Sequence, residues 1–143
     1  MSYDLKISNG DLVLQSGDFK TVRDGDKLLQ DILKICLTTA GSNILQPWYG
    51  SFISRSLIGS ALSTSVVLQV GQSQLQNAIE NLRSLQAAQV KSFQRVTPDE
   101  QIGAIQDISI VRSPVDPTTF TVSVKVLSKG FRPITATFDV SPI

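Results

Sequence analysis

The sequence predicts one α+β domain. It would have an N-terminal β hairpin, two or three helices, and a C-terminal antiparallel three-stranded meander forming one mixed-order sheet packed on the helices. Three observations predict this. Apolar and polar residues alternate near both ends of the chain, at the period of a half-buried strand. Between those segments apolar residues recur at three- and four-residue steps, the period of a helix lying on a core. The chain has 143 residues, enough for a single domain to bury a core without metal or disulfide help. Residues 1–143 therefore read as one unit, with no linker and no repeat of 20 to 50 residues.

The first 23 residues read as strand, turn, strand. Tyr3, Leu5 and Ile7 alternate with Asp4, Lys6 and Ser8, and Asn9-Gly10 suits a tight hairpin turn. Leu12 and Leu14 resume the alternation, Gly17-Asp18 closes it, and Phe19 to Val22 forms a short extended piece. A helix is expected from Asp24, with Asp24 and Asp26 at the positive end of its dipole. Its apolar stripe is Leu28, Leu29, Ile32, Leu33, Cys36 and Leu37. Lys27, Gln30, Asp31 and Lys34 fall mainly on the other side, and Asp31 and Lys34 form an i,i+3 pair. Gly41 is placed to end the helix.

Pro47-Trp48-Tyr49-Gly50 and Phe52 make the next connection aromatic, and Ser51 to Ile58 reads as a short helix. A long helix is expected from Thr64 to Phe93, with Leu68, Leu75, Ala78, Ile79, Leu82 and Leu85 on one face. Ser63 or Thr64 would cap it, and Gly71 either splits it or costs about 1 kcal/mol inside it. Thr97-Pro98-Asp99-Glu100 is a capped single turn. Ile105 to Val111, Phe120 to Val126 and Ile134 to the C-terminus then alternate as three strands, turning at Asp116-Pro117 and Lys129-Gly130.

Composition narrows the function. Thirteen basic residues face twelve acidic ones, a formal net charge of +1, so neither nucleic acid nor an anionic membrane is expected as a partner. The chain has no histidine and one cysteine, which removes histidine-based catalysis, histidine-ligated zinc and an internal disulfide. Neither a metal nor a cofactor is expected. No basic segment followed by an apolar one opens the chain, and no apolar run is long enough to span a bilayer, so export by signal peptide and membrane insertion are not expected. Polarity comes instead from 18 serines and 12 glutamines, nine of the latter between Gln69 and Gln106. A surface covered by another protein, or a surface that needs little charge, would have this composition.

Catalytic constellations are scarce. Phosphate-binding glycine patterns do not occur, and Asp24-Gly25-Asp26 lacks the later ligands of a calcium loop. The chain has two glutamates, Glu80 and Glu100. A glycoside hydrolase needs two carboxylates roughly 5 to 10 Å apart in one cleft. Glu80, one helical turn before Arg83, reads as half of a solvated ion pair, and Glu100 stands beside Asp99 in the capped turn. A shared cleft holding both would favour a muramidase; separation would favour a non-enzyme. Two segments read as interface candidates. Pro47, Trp48, Tyr49 and Gly50 are either a plug for the core or an aromatic anchor for a partner. The last strand, with Ile134, Ala136, Phe138 and Val140, is either an ordinary final strand or an edge that accepts a strand from another chain.

The order of these pieces resembles a known family, the small baseplate wedge proteins of contractile phage tails, which often carry a lysozyme-like label and are related to a type VI secretion baseplate component. The resemblance rests on Gly10 to Leu14 as Gly-Asp-Leu-x-Leu, on Leu28 to Leu37, on Thr38 to Gly41 followed by Pro47 to Gly50, and on Pro98-Asp99-Glu100-Gln101-Ile102. Ser42 and Gln101 stand where many relatives have glutamate and arginine. The resemblance implies a non-enzymatic structural protein of the virion tail baseplate, assembled in the host cytoplasm. It implies that the long helix and the turn at Glu100, Gln101 and Ile102 face larger wedge subunits. It implies that the C-terminal strands template the tail sheath by strand exchange, with tail tube or hub proteins as further neighbours. A tail-associated muramidase and another tail or head completion protein are the alternatives.

Overall fold

The computed structural model describes residues 3–9, 11–53, 64–92, 95–116 and 118–140. The observed fold is α+β, with small N-terminal strand pairs, two helices and a C-terminal antiparallel sheet. The N-terminal part is more divided than a hairpin. Six two-residue strands, β1 (Asp4–Leu5), β2 (Ile7–Ser8), β3 (Asp11–Leu12), β4 (Leu14–Gln15), β5 (Asp18–Phe19) and β6 (Thr21–Val22), pair as β1 with β6, β2 with β3 and β4 with β5. A seven-residue repeat underlies them: Asp4 to Gly10, Asp11 to Gly17 and Asp18 to Asp24. In each copy the leading aspartate accepts the N–H of the next residue at 2.8 Å. At the centre Lys6 donates to the carbonyl of Lys20, Lys20 to that of Val13 and Val13 to that of Lys6. The ring closes because these three residues are seven apart. The alternating apolar residues expected to be half-buried, Tyr3, Leu5, Ile7, Leu12, Leu14 and Phe19, are exposed; Val22 is the one that is buried. The Asn9-Gly10 turn lies partly outside the described residues; Asn9 has the positive φ that it requires.

α1 (Asp24–Leu37) starts where expected and stops four residues before Gly41. The Thr38 hydroxyl caps the Lys34 carbonyl, and the chain leaves to pair Thr39 with Ser51. The buried face is Leu28, Gln30, Ile32, Ile35 and Cys36. Leu37 is exposed, and Gln30 is buried against expectation. The reason is hydrogen bonding: its Oε1 accepts the Ile7 N–H (2.9 Å), and its Nε2 donates to the Leu5 carbonyl (2.8 Å) and Asp4 Oδ2 (3.1 Å). A buried amide that satisfies strand backbone costs little to bury. It fastens the N-terminal strands to α1. Cys36 is a buried small side chain, and burial pushes its thiol up to about 12.

α2 (Thr64–Lys91) is continuous through Gly71 and buries Val67, Leu75, Ala78, Ile79, Leu82 and Gln86. Ser63, Phe93 and the Thr64 side chain lie outside the described residues; of the short helix expected from Ser51 to Ile58, Ser51 is instead in a bridge with Thr39 and the part after Ile53 lies outside them. No described helix is long and apolar enough to cross a membrane. The sheet runs in sequential order, β7 (Ile102–Arg112), β8 (Phe120–Ser128), β9 (Pro133–Val140), all antiparallel. β8 and β9 turn Phe120, Val122, Val124, Val126, Ala136, Phe138 and Val140 into one core with both helices. Thr135, Thr137 and Asp139 are exposed on the opposite face.

Candidate functional site

The outer side of β9 is set by ladder parity. Residues paired across an antiparallel ladder alternate between exchanging both backbone bonds and exchanging none. At the turn Ser128 donates to the carbonyl of Arg132 at 2.9 Å, while its own carbonyl accepts the Phe131 N–H; this one bond places the pair at a bonded position of the ladder. The β8–β9 register, Val126 with Ile134, Val124 with Ala136 and Val122 with Phe138, continues it. Ile134, Ala136, Phe138 and Val140 thus spend their backbone groups on β8 and turn their side chains to the helices. Thr135, Thr137 and Asp139 direct both N–H and C=O outward, about 6.8 Å apart along the strand. Among the described residues β8 is the strand that pairs with β9, which stands at the end of the sheet. Ile134, Ala136, Phe138 and Val140 pack on the core, and the outward backbone groups belong to the residues between them.

The other edge of the sheet differs. β7 shifts register between Ile102 and Ala104 and again between Ile105 and Asp107. On its outward side Gln72 of α2 donates to the Ile108 carbonyl at 3.1 Å. Bulges and capped carbonyls are the features that block strand addition. β9 is the regular edge and β7 the guarded one.

The turn before β7 is clamped from inside. The Glu100 side chain is 1% exposed; its Oε2 accepts the Thr97 N–H at 2.6 Å and lies 3.1 Å from the Thr97 hydroxyl, which also reaches Asp24 Oδ1 at 2.9 Å. Gln86 bridges α2 to this turn. Its Nε2 donates to the Glu100 carbonyl and its Oε1 accepts the Ile102 N–H, both at 2.9 Å. Gln101 and Ile102 are buried too. All three candidates here hold the turn in place.

The aromatic connection does two things. Tyr49 is half-buried against the core, with its phenol raised by burial. Trp48 stands edge-on to it, ring centroids 6.1 Å apart, and is 44% exposed. Pro47 and Trp48 line a groove of about 240 Å³ with Gln74, Asn77 and Asn81 of α2. Gly50 is buried at φ +115°, where a Cβ would lie 2.6 Å from the Thr38 carbonyl oxygen. Only glycine permits this approach.

Charge is concentrated where the N-terminal strands meet α1. Lys34 pairs with Asp4 and Asp31, and Lys27 with Asp31 at 2.9 Å. Burial works to raise the Asp4 carboxyl, but Lys34, the Leu5 N–H and Gln30 outweigh it and hold it below its ordinary value. Burial likewise works to lower Lys34, and the two aspartates outweigh it, holding its ammonium above the ordinary lysine value.

The two glutamates are not brought together in a cleft. Glu80 is exposed on α2 beside Arg83, 3.8 Å away, while Glu100 is interior. Neither lines the grooves under the N-terminal strands, beside Tyr49 or beside Trp48. Among the described residues no group of three acidic or cysteine side chains could hold a metal ion.

The fold is similar to that of a candidate tail lysozyme. That protein, from Geobacter sulfurreducens, has a crystal structure that superposes with a TM-score of 0.60 over 92% of this chain and 96% of its own, at 12% identity. No family model and no curated protein sequence matches the chain.

Sequence reasoning missed the three working glutamines, Gln30, Gln72 and Gln86. The signal was the glutamine enrichment itself, read as surface. It also missed Thr135, Thr137 and Asp139, whose outward backbone follows from the turn geometry at Ser128 to Arg132.

Proposed function

We propose that this chain is a non-enzymatic structural component of a contractile phage tail baseplate. It binds wedge subunits and starts sheath assembly by accepting a strand along β9. The observation that carries this reading is the contrast between the two sheet edges. β9 offers a regular row of outward backbone groups, whereas β7 is bulged and capped by Gln72. The similarity of fold to a candidate tail lysozyme supports a tail location. Backbone pairing tolerates varied partner sequences, so a preformed edge is an economical template for a repeating sheath. A muramidase is the second reading, since the structural neighbour's name points to it. The placement of Glu80 and Glu100 speaks against it: glycosidase chemistry needs both carboxylates across one sugar.

Electron microscopy of particles from a phage lacking this gene tests the proposal. Tubes without sheath, or tails without baseplates, are expected. Complete contractile particles that fail only to penetrate the cell wall would overturn it in favour of the muramidase.

A further inference from the structure

The tip joining β8 to β9 holds an aromatic residue in a backbone conformation that such residues rarely adopt. Phe131 has φ +63° and is 81% exposed. Burial of the ring therefore does not hold it there, and the left-handed region disfavours bulky side chains. A turn of this kind favours glycine at the left-handed position. The sequence has its glycine one residue earlier, at Gly130. A Cβ on residue 130 would sit 2.1 Å from Asp99 Oδ1, so glycine there lets the Asp99 carboxylate lie against the tip without turning away.

The tip is fixed on that turn. Lys129 donates its N–H to the Gln101 carbonyl and its Nζ to Gln101 Oε1, both at 3.0 Å. Phe131 N–H donates to the Ser128 carbonyl at 3.0 Å, and Arg132 N–H to Ser128 Oγ at 3.1 Å. Arg132 Nε lies 3.6 Å from Asp99 Oδ2. The backbone on both sides of Phe131 is anchored while its ring faces solvent. Strain retained at an exposed site directs attention to what the ring meets outside the chain.

The geometry points to Phe131 as a preset anchor for the chain that adds its strand to β9. This rests on the strand-addition reading. Phe131 stands two residues before β9 begins, so a strand running along the outer edge of β9 ends its pairing at this tip. Pro133 has no N–H, and the ladder stops there. Side-chain contact takes over from backbone contact. The occupant that fits is an extended segment whose last paired residue is followed by an apolar side chain, with a carboxylate close by to meet Arg132, whose side chain is 71% exposed. Aromatic and arginine residues dominate interface hot spots, and a ring already held in place loses little freedom on docking.

The test uses the purified sheath protein of the same phage and three variants. Phe131→Gly and Phe131→Asn remove the ring and relieve the backbone; Phe131→Ala removes the ring alone. The first two are expected to melt about 3 °C higher than the natural chain and the third at the same temperature. All three are expected to bind sheath protein about tenfold or more weakly. A Gly and Asn pair no more stable than the natural chain would refute the strain. Unchanged affinity in all three would refute the anchor. Thr137→Pro separates the two readings. If it binds normally while the Phe131 variants bind weakly, strand addition falls and Phe131 is a contact of another kind, so the anchor as stated falls with it. If it fails to bind while the Phe131 variants bind normally, only the anchor falls. A natural chain that does not bind sheath protein overturns both.

Discussion

Proline at Thr137 distinguishes the outward groups of β9 from the inward ones. The Thr137 N–H is outside the β8–β9 ladder, so proline removes a donor that the folded chain does not use, and proline is tolerated on the open side of an edge strand. The expected loss of stability is under about 1 kcal/mol. Proline one residue on, at Phe138, deletes a bond to Val122 and a ring that is 9% exposed. Losing the ring costs about 3–5 kcal/mol, and orphaning the Val122 carbonyl adds about 1–3. Together these approach the whole stability of an ordinary domain, about 5–15 kcal/mol. In the complex the order reverses. Thr137→Pro leaves the incoming strand with an unpaired carbonyl and pushes it off the edge, a loss of about 2–4 kcal/mol, or roughly 30-fold or more in affinity. Urea denaturation followed by circular dichroism gives the first quantity, and calorimetric titration with sheath protein the second. A folded Phe138→Pro beside an unfolded Thr137→Pro would show the parity to be reversed. A folded Thr137→Pro that binds sheath protein at full affinity would refute β9 as the accepting edge.

Three further outcomes follow from the internal clamps. Gln86→Ala strands the Glu100 carbonyl and the Ile102 N–H in the interior, so urea denaturation should show a loss of about 2–5 kcal/mol; a loss below about 1 kcal/mol would show the bridge to be dispensable. Gly50→Ala places a Cβ against the Thr38 carbonyl at positive φ and should cost roughly 3 kcal/mol; a melting temperature equal to that of the natural chain would contradict the close approach. The Asp4–Lys34 pair should stabilise the N-terminal strands within a pH window. Asp4 titrates below its ordinary 3.8 when folded, so its contribution is present above that value and is lost as pH falls through the lower folded value. Lys34 titrates above its ordinary 10.5, so its contribution is present below that value and is lost as pH rises through the higher folded one. Nuclear magnetic resonance of the Ile7 amide, which Gln30 holds, should show release at acid pH that is absent in Asp4→Asn; identical acid profiles in the two proteins would remove the pair from the account.

The helices and the meander were legible because one periodicity decided each. The spacing of Leu75, Ala78, Ile79 and Leu82 admits only a helix, and Phe120 to Val126 only a strand. The N-terminal segment was misread in detail for a physical reason. Strict alternation describes three two-stranded arms as well as it describes one long hairpin, and burial, which separates them, is not written in the alternation. The seven-residue spacing of Asp4, Asp11 and Asp18 was the available signal. Gln30 was placed on the wrong side of α1 because periodicity treats an amide as surface. Its partners, the backbone groups of Leu5 and Ile7, come from a segment whose position the helix pattern does not contain. On β9 the apolar residues Ile134, Ala136, Phe138 and Val140 announce the strand and face the core, and the outward backbone belongs to the polar residues between them, which alternation alone does not single out. Phe131 had no signal beyond a glycine one residue early.

Amide hydrogen exchange on β9, with and without sheath protein, tests the central claim most directly. The amides of Thr135, Thr137 and Asp139 should exchange freely in the isolated chain, while those of Ala136 and Phe138 are already protected by β8. In the complex all three should slow by about a hundredfold or more, in alternation along the strand. A complex that forms and leaves these three amides exchanging as before would contradict strand addition at β9.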